Sequence, residues 1–328
     1  MKSKSVFLAF LVVLIFALTA FAGTVQLPQT GQTKCYDSAG AEIACAGTGQ
    51  DGDIRAGVAW PEPRFVITYC NATAPCADQS SDCDANPSTD VVTDKLTGLM
   101  WPKNGNLAGA MTWYSAIDYA NNLTLCGHSD WRLPNVNELE SLVNSNMPYA
   151  NAWLNTQGFN NVLSSYWSST TYAKDIYSAW YVAMHKGYVV HDIIGKGDTG
   201  SYAGYAWAVR SEQFSSVISL PQTGQKTSYA SGDDGDIQAG VVWPSPRFTD
   251  NDNSTVTDNL TGLIWTKDAN VPGPSACNPG TYKTWQEALE YIKCLNSWSY
   301  LGHHDWRLPN KKELYSLIDY SNYNPALL

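Results

Sequence analysis

A nine-residue stretch written twice constrains this chain more than any other feature. Gly127-His128-Ser129-Asp130-Trp131-Arg132-Leu133-Pro134-Asn135 recurs as Gly302-His303-His304-Asp305-Trp306-Arg307-Leu308-Pro309-Asn310, with eight of nine positions matching at an offset of 175 residues. Tryptophan is too rare for that to be coincidence, so the chain is a tandem repeat. A residue before proline is pushed out of the α region, so each copy runs extended to its proline and then turns into a helix. Asn135 and Asn310 are the predicted N-caps, and Glu138 and Glu313, three residues on, complete capping boxes. Apolar residues follow at helical spacing: Leu139, Leu142 and Val143 in one copy, Leu314, Leu317 and Ile318 in the other.

Other blocks repeat in the same order. Leu27-Pro-Gln-Thr-Gly-Gln32 answers Leu220 to Gln225, Asp51-Gly-Asp-Ile54 answers Asp234 to Ile237, Trp60-Pro-Glu-Pro-Arg-Phe65 answers Trp243 to Phe248, and Leu96 to Trp101 answers Leu260 to Trp265. Only spacers differ in length, so the two units share a fold with insertions confined to loops. A helix precedes each nonapeptide, with Thr112 or Thr284 as cap. In the second copy Glu287 completes the box and Trp285, Ala288, Leu289, Ile292 and Leu295 form one apolar stripe. Past the second helix the first repeat becomes strand-rich, with Ser165 to Thr170, Tyr177 to Val182, Gly187 to Val190 and Tyr205 to Arg210 reading as an antiparallel sheet closed by its last strand.

Nothing in the second repeat corresponds to that sheet, because Leu328 aligns with Trp153. The expected organisation is a signal peptide over 1–22, a first unit over 23–213, and a second over 214–328 that is truncated and lacks roughly its last 60 residues. Such a unit exposes the apolar faces of its helices, so 23–213 is expected to fold alone and 214–328 is not.

Lys2 and Lys4, the apolar run from Val6 to Ala20 and the small residues Ala20 and Ala22 form the signal pattern. No cysteine lies near the cleavage point, which argues against a lipid anchor, and no second long apolar run follows, so no membrane span remains after cleavage. The predicted address is secreted, periplasmic or cell-surface. Cleavage removes two of the 20 basic side chains and none of the 30 acidic ones, so the formal charge moves from −10 to −12. A surface that acidic excludes nucleic acid as the expected partner. Eight cysteines in an oxidising compartment favour disulfides over a metal site. Cys35 with Cys45 and Cys277 with Cys294 are the expected pairs. Cys70, Cys76, Cys83 and Cys126 leave three connectivities open.

The ordered blocks LPQTGQ, DGDI, WPxPRF, LTGLxW, DWRLPNxxEL, YWSST and a closing AVR resemble the Lcl C-terminal domain family of secreted and surface bacterial proteins. RLPN-x-x-EL is also similar to the RLPT-x-x-E signature of formylglycine-generating enzymes. The resemblance implies an α+β fold of C-type-lectin-like units, two helices packed on a twisted, mostly antiparallel sheet. It also implies adhesion to sulfated glycans through basic surface, which an acidic chain does not offer. A formylglycine-generating oxidoreductase needs two copper-binding cysteines late in the domain, and no cysteine lies between Cys126 and Cys277. The expectation is therefore no enzyme and no catalytic residues.

Three sets of residues stand as candidates. Asp130, Trp131, Arg132, Asp305, Trp306 and Arg307 read as structural, the arginine fixing a turn by a carboxylate or carbonyls, and Trp113, Trp131, Trp285 and Trp306 read as core. Asp250, Asp252 and Asp258, at alternating positions in an Asx-rich loop, offer the oxygens a calcium ion takes, against the alternative of an Asx-rich turn. No other cofactor is expected. Tyr166, Trp167, Tyr172, Tyr177 and Trp180 offer rings for stacking on a sugar, although strand alternation turns about half of them inward. The functional expectation is a non-enzymatic binding or adhesion module taking a glycan or a surface protein. A structural or protein-interaction role in the envelope or a filament is the alternative. Oligomeric state has no signature in the sequence.

Overall fold

The computed structural model of the chain describes residues 24–70, 89–190, 195–197, 204–211, 216–270, 272–280 and 282–323. The signal segment and the cysteines Cys76 and Cys83 lie outside the described residues. The first repeat opens with an arm that carries the ribbon β1 (Cys35–Tyr36) and β2 (Glu42–Ile43), closed by the Cys35–Cys45 disulfide, and the short helix α1 (Asp51–Ile54). Then β3 (Phe65–Thr68), β4 (Val91–Asp94) and β5 (Leu99–Pro102) run antiparallel. The LTG block is the β4–β5 turn. Asp94 accepts from the Leu96 amide and the Thr97 hydroxyl, and Gly98, at φ 70°, supplies the left-handed residue.

β6 (Ala110–Met111), α2 (Trp113–Asn121), α3 (Val136–Ser141) and α4 (Ala150–Thr156) follow. Thr112 caps α2 through the Ser115 amide, and Asn135 and Glu138 form the capping box of α3 that their spacing predicts. β7 (Ser165–Thr171), β8 (Ala179–Ala183), β9 (Tyr188–Val190) and β10 (Gly204–Tyr205) build a sheet in the order β6-β10-β7-β8-β9. The final β11 (Arg210–Ser211) leaves it to pair with β5. The run Tyr205 to Arg210 is thus two short strands in two sheets. Its first pairing, Tyr205 with Tyr166, is parallel where the sequence predicted antiparallel. Trp207 explains the break: it is buried between the sheets, donates to the Pro102 carbonyl at 2.9 Å and packs on Trp101 and Tyr166.

The second repeat lays down α5 (Asp234–Ile237), the sheet β12 (Phe248–Asp250), β13 (Thr255–Asp258) and β14 (Ile264–Thr266), then α6 (Trp285–Ser297) and α7 (Lys311–Ser316). Helices and antiparallel sheets in this proportion make the chain α+β, as expected. The Cys277–Cys294 bond ties α6 to the turn before it, and Cys70 bonds to Cys126, which removes two of the three connectivities left open for that group. The WPxPRF block does the same work in both repeats. Arg64 lies over Trp60, pairs with buried Asp94 at 2.7 Å and donates to the Ser141 carbonyl at the end of α3. Arg247 lies over Trp243, pairs with buried Asp258 at 2.7 Å and donates to the Ser316 carbonyl at the end of α7.

The opening arms cross between the repeats. The Ile218 amide donates to the Leu96 carbonyl of the first unit and the Val25 amide donates to the Leu260 carbonyl of the second, both at 2.9 Å. Asn135 of the first unit donates to the Ala239 carbonyl, while Asn310 of the second donates to the Ala56 carbonyl. Every one of these contacts has its counterpart with the repeats interchanged, so the units are related by an approximate twofold. Lys312 of α7 and Glu140 of α3 form a buried ion pair at 2.6 Å between them. Position 213/214 therefore divides the sequence repeats and not the packing, since residues 217–241 complete the first unit and residues 25–56 complete the second.

Candidate functional site

The crossing arms create one slot in each unit, and the first slot is filled. Ser168 to Thr171 of β7 lie in it, completely buried. Trp113 Nε1 donates to the Ser168 carbonyl at 2.8 Å, and the Ser169 amide donates to the Pro134 carbonyl at 2.8 Å. The Val136 amide donates to Thr170 Oγ1, which in turn donates to Asp234 Oδ2 at 2.7 Å. Gln225 reads the backbone of Thr171 on both sides, accepting from its amide at 2.8 Å and donating to its carbonyl at 2.9 Å. The strand is thus held by one helix start, the proline turn, and two side chains of the arm from the other repeat.

The second slot has the same walls, and none of the described residues occupies it. Trp285 stands where Trp113 does, Pro309 and Lys311 where Pro134 and Val136 do, and the arm of the first repeat brings Asp51 and Gln32 where Asp234 and Gln225 sit. Gln32, Asp51, Trp285 and Pro309, together with Leu289, Arg307 and Leu314, line a groove of about 480 Å³. Among the described residues no hydrogen bond engages Trp285 Nε1 or the amides of Arg307 and Lys311, whereas the Arg132 and Val136 amides of the filled unit are both bonded. Exposure follows. Trp113 and Leu139 are 0 % exposed and Met100 is 5 %, while their counterparts Trp285, Leu314 and Ile264 are 49 %, 49 % and 44 %.

The groove floor is preset. Thr30 donates to Asp51 Oδ2 as Thr223 donates to Asp234 Oδ2. Burial pushes both carboxyls up, Asp234 to about 6, with Thr hydrogen bonds pulling the other way. Arg307 is held by both oxygens of Glu313, and Arg132 by both oxygens of Glu138 at 2.7 and 2.5 Å. The same glutamates accept from the N-cap amides of Asn310 and Asn135. One carboxylate therefore clamps the arginine and starts the helix, which explains why the stretch reads Arg-Leu-Pro-Asn-x-x-Glu.

The remaining sequence candidates fall as follows. Asp130 pairs with Arg210 at 2.7 Å, which holds its carboxyl below the usual range, whereas Asp305 is exposed, 3.9 Å from His303. Trp131 is core, but Trp285 is not, and Trp306 is only half-buried with its indole on the Tyr300 carbonyl. The expectation that all four tryptophans are core fails at Trp285, which no strand of the described residues covers, and at half-buried Trp306.

Tyr166 and Trp167 are fully buried, with their polar atoms on the Gly105 and Met111 carbonyls, so a sugar cannot reach them. β7 is covered on both faces, and alternation therefore exposes neither ring. Tyr172 and Trp180 pack edge to face at 5.2 Å, Trp180 also packs on Tyr320, and Tyr177 stands 76 % exposed, so the five rings do not form one platform.

In the acidic loop Asp258 is buried and spends both oxygens on Arg247, while Asp250 faces Lys267 at the surface. Asp252 follows in a turn closed by Asp250, Asn251 and Asn253 side chains, the geometry of an Asx-rich turn. Among the described residues no three histidine, cysteine or acidic side chains converge. Gln32 and Asp51 were not singled out from sequence, although their place in duplicated LPQTGQ and DGDI blocks was a signal that both repeats use them alike.

None of the described helices is long and apolar enough to cross a membrane, and the three disulfides among the described residues indicate an oxidising, extracytoplasmic compartment. No curated protein matches the chain. The family model described as the Lcl C-terminal domain matches residues 90–210 and again 254–328, more than half of the sequence. The second match covers the half whose slot is open, as the first covers the half whose slot is filled, and the chain thus belongs to the Lcl C-terminal domain family in tandem copies.

Proposed function

We propose that this protein is a non-enzymatic binding module of an extracytoplasmic compartment, and that it engages protein rather than glycan. A glycan-binding role rested on the five aromatic residues of the strand-rich half, and the observation that carries the present reading is that two of those, Tyr166 and Trp167, are core with their polar atoms on the Gly105 and Met111 carbonyls, so that the five rings form no platform for a sugar.

Attachment of the labelled full-length protein to envelope preparations tests this. Binding is expected to survive periodate oxidation of sugars and to vanish after protease treatment of the preparation. Attachment lost to periodate and indifferent to protease would replace the reading with glycan adhesion.

A further inference from the structure

We propose that Glu140 of α3 and Lys312 of α7 select which repeats can pair, so that the face of a first repeat accepts a second repeat and rejects another of its own kind. The pairing of the units across their approximate twofold is thus a recognition between unlike faces, and not a product of the tether alone. A small cavity marks where the axis runs, because its lining comes in matched positions from the two repeats: Leu27 with Leu220, and Ser141 with Ser316. Asn137, Glu140, Lys312 and Tyr315 line it as well. At the 175-residue offset Glu140 matches Tyr315 and Lys312 matches Asn137. The backbone obeys the twofold here, and the charges break it.

On one side of the axis Lys312 Nζ donates to Glu140 Oε2 at 2.6 Å and to the Glu140 carbonyl at 2.8 Å, both side chains being buried. Lys311 Nζ adds a second cation 3.1 Å from the other carboxylate oxygen. The mirror-related positions hold Asn137 and Tyr315, which carry no charge, and Asn137 donates instead to the Pro221 carbonyl of the crossing arm at 3.1 Å. Interchanging partners shows what the asymmetry does. Two first repeats on the same axis would set each Glu140 against an Asn137 and bury two carboxylates with no ammonium. Two second repeats would set each Lys312 against a Tyr315 and bury two ammoniums with no carboxylate. A buried charge stripped of its partner is costly, whereas the unlike pairing leaves none. Burial already pushes the Lys312 ammonium down to about 8, with Glu140 pulling the other way, so the cation depends on that carboxylate. Like-on-like association between copies is therefore excluded, and the tether's high effective concentration then keeps first on second within one chain.

Exchanging the four side chains across the axis in the full-length chain tests this, read by amide exchange at the crossing bonds of Val25 and Ile218. The half exchange Asn137→Lys with Glu140→Tyr makes the two faces alike, and so does Lys312→Asn with Tyr315→Glu. Each is expected to speed exchange of both amides at least about a hundredfold. The full exchange of all four positions restores one buried pair on the other side of the axis, and both rates should return to within about tenfold of the native protein. A merely local role for Glu140 or Lys312 in its own helix predicts the opposite, because the two half exchanges would then compound. Half exchanges that leave the rates unchanged, or a full exchange that is as damaging as the two halves together or unable to fold, overturn the assignment.

Discussion

Trp113 and Trp285 begin equivalent helices from equivalent threonine caps, yet one is sealed in the core and the other is half in solvent. The paired helices, the capping boxes of α3 and α7, the Arg-Asp pair under the WPxPRF turn and the Arg-Glu clamp are the same in both units. What differs, among the described residues, is the sheet β7–β11 of the first unit. The framework of this fold is therefore set by groups that precede the sheet in sequence, and the sheet contributes closure over Trp113 and Leu139.

The largest expected effect probes what the units share. Arg64→Ala and Arg247→Ala each strand a buried carboxylate, Asp94 or Asp258, and each is expected to cost about 3–5 kcal/mol in denaturant unfolding. A much smaller loss at Arg247 would mean that the second frame is looser than its geometry. Next is the contrast itself. Trp113→Ala should cost about 3–5 kcal/mol, and Trp285→Ala less than about 2 kcal/mol, because only the first empties a filled site. Equal losses would break the comparison. Third, a fragment of residues 23–213 lacks the arm that supplies Ile218, Gln225 and Asp234. Its thermal midpoint should fall below that of the first transition of the intact chain, contrary to the independent folding that the sequence boundaries predict.

The smallest effect is a pH dependence. Burial raises Asp234 to about 6 from 3.8, so the folded state holds a proton that the unfolded state has released. The associated stability is fully present below about pH 3.8 and is lost as pH rises through about 6. Asp234→Asn should flatten the stability curve between pH 4 and 6. Asp51→Asn, at a less buried carboxyl raised in the same direction, should flatten it less. An unaltered curve in Asp234→Asn would show that its Thr170 and Thr223 hydrogen bonds outweigh burial.

Local features were legible in the sequence because they are encoded locally. Asn135 and Glu138, Thr284 and Glu287, and Asn310 and Glu313 are capping signals of three-residue range, and the Cys35–Cys45 and Cys277–Cys294 pairs close short loops. The exposure of Leu314 followed from comparing the copies, whereas Trp285 read as core and is half exposed. The crossing of the arms was not legible, since Asn135 meets Ala239 across 104 residues and nothing in either block says which copy it will meet. Nor was the burial of Tyr166 and Trp167, because a strand covered on both faces shows the same aromatic composition as one offering a face to solvent. Asp258 looked like an ion ligand in sequence because its partner Arg247 belongs to a different block.

The central claim is that two like frames differ, among the described residues, in whether the slot is filled. Amide exchange read by NMR tests it most directly at two matched pairs. The Arg132 amide bonds to the Val209 carbonyl and the Val136 amide to Thr170, so both should exchange only with global opening of the first unit. The matched Arg307 and Lys311 amides, without such partners among the described residues, should exchange at rates near those of exposed loops. Equal protection at both pairs would contradict the account.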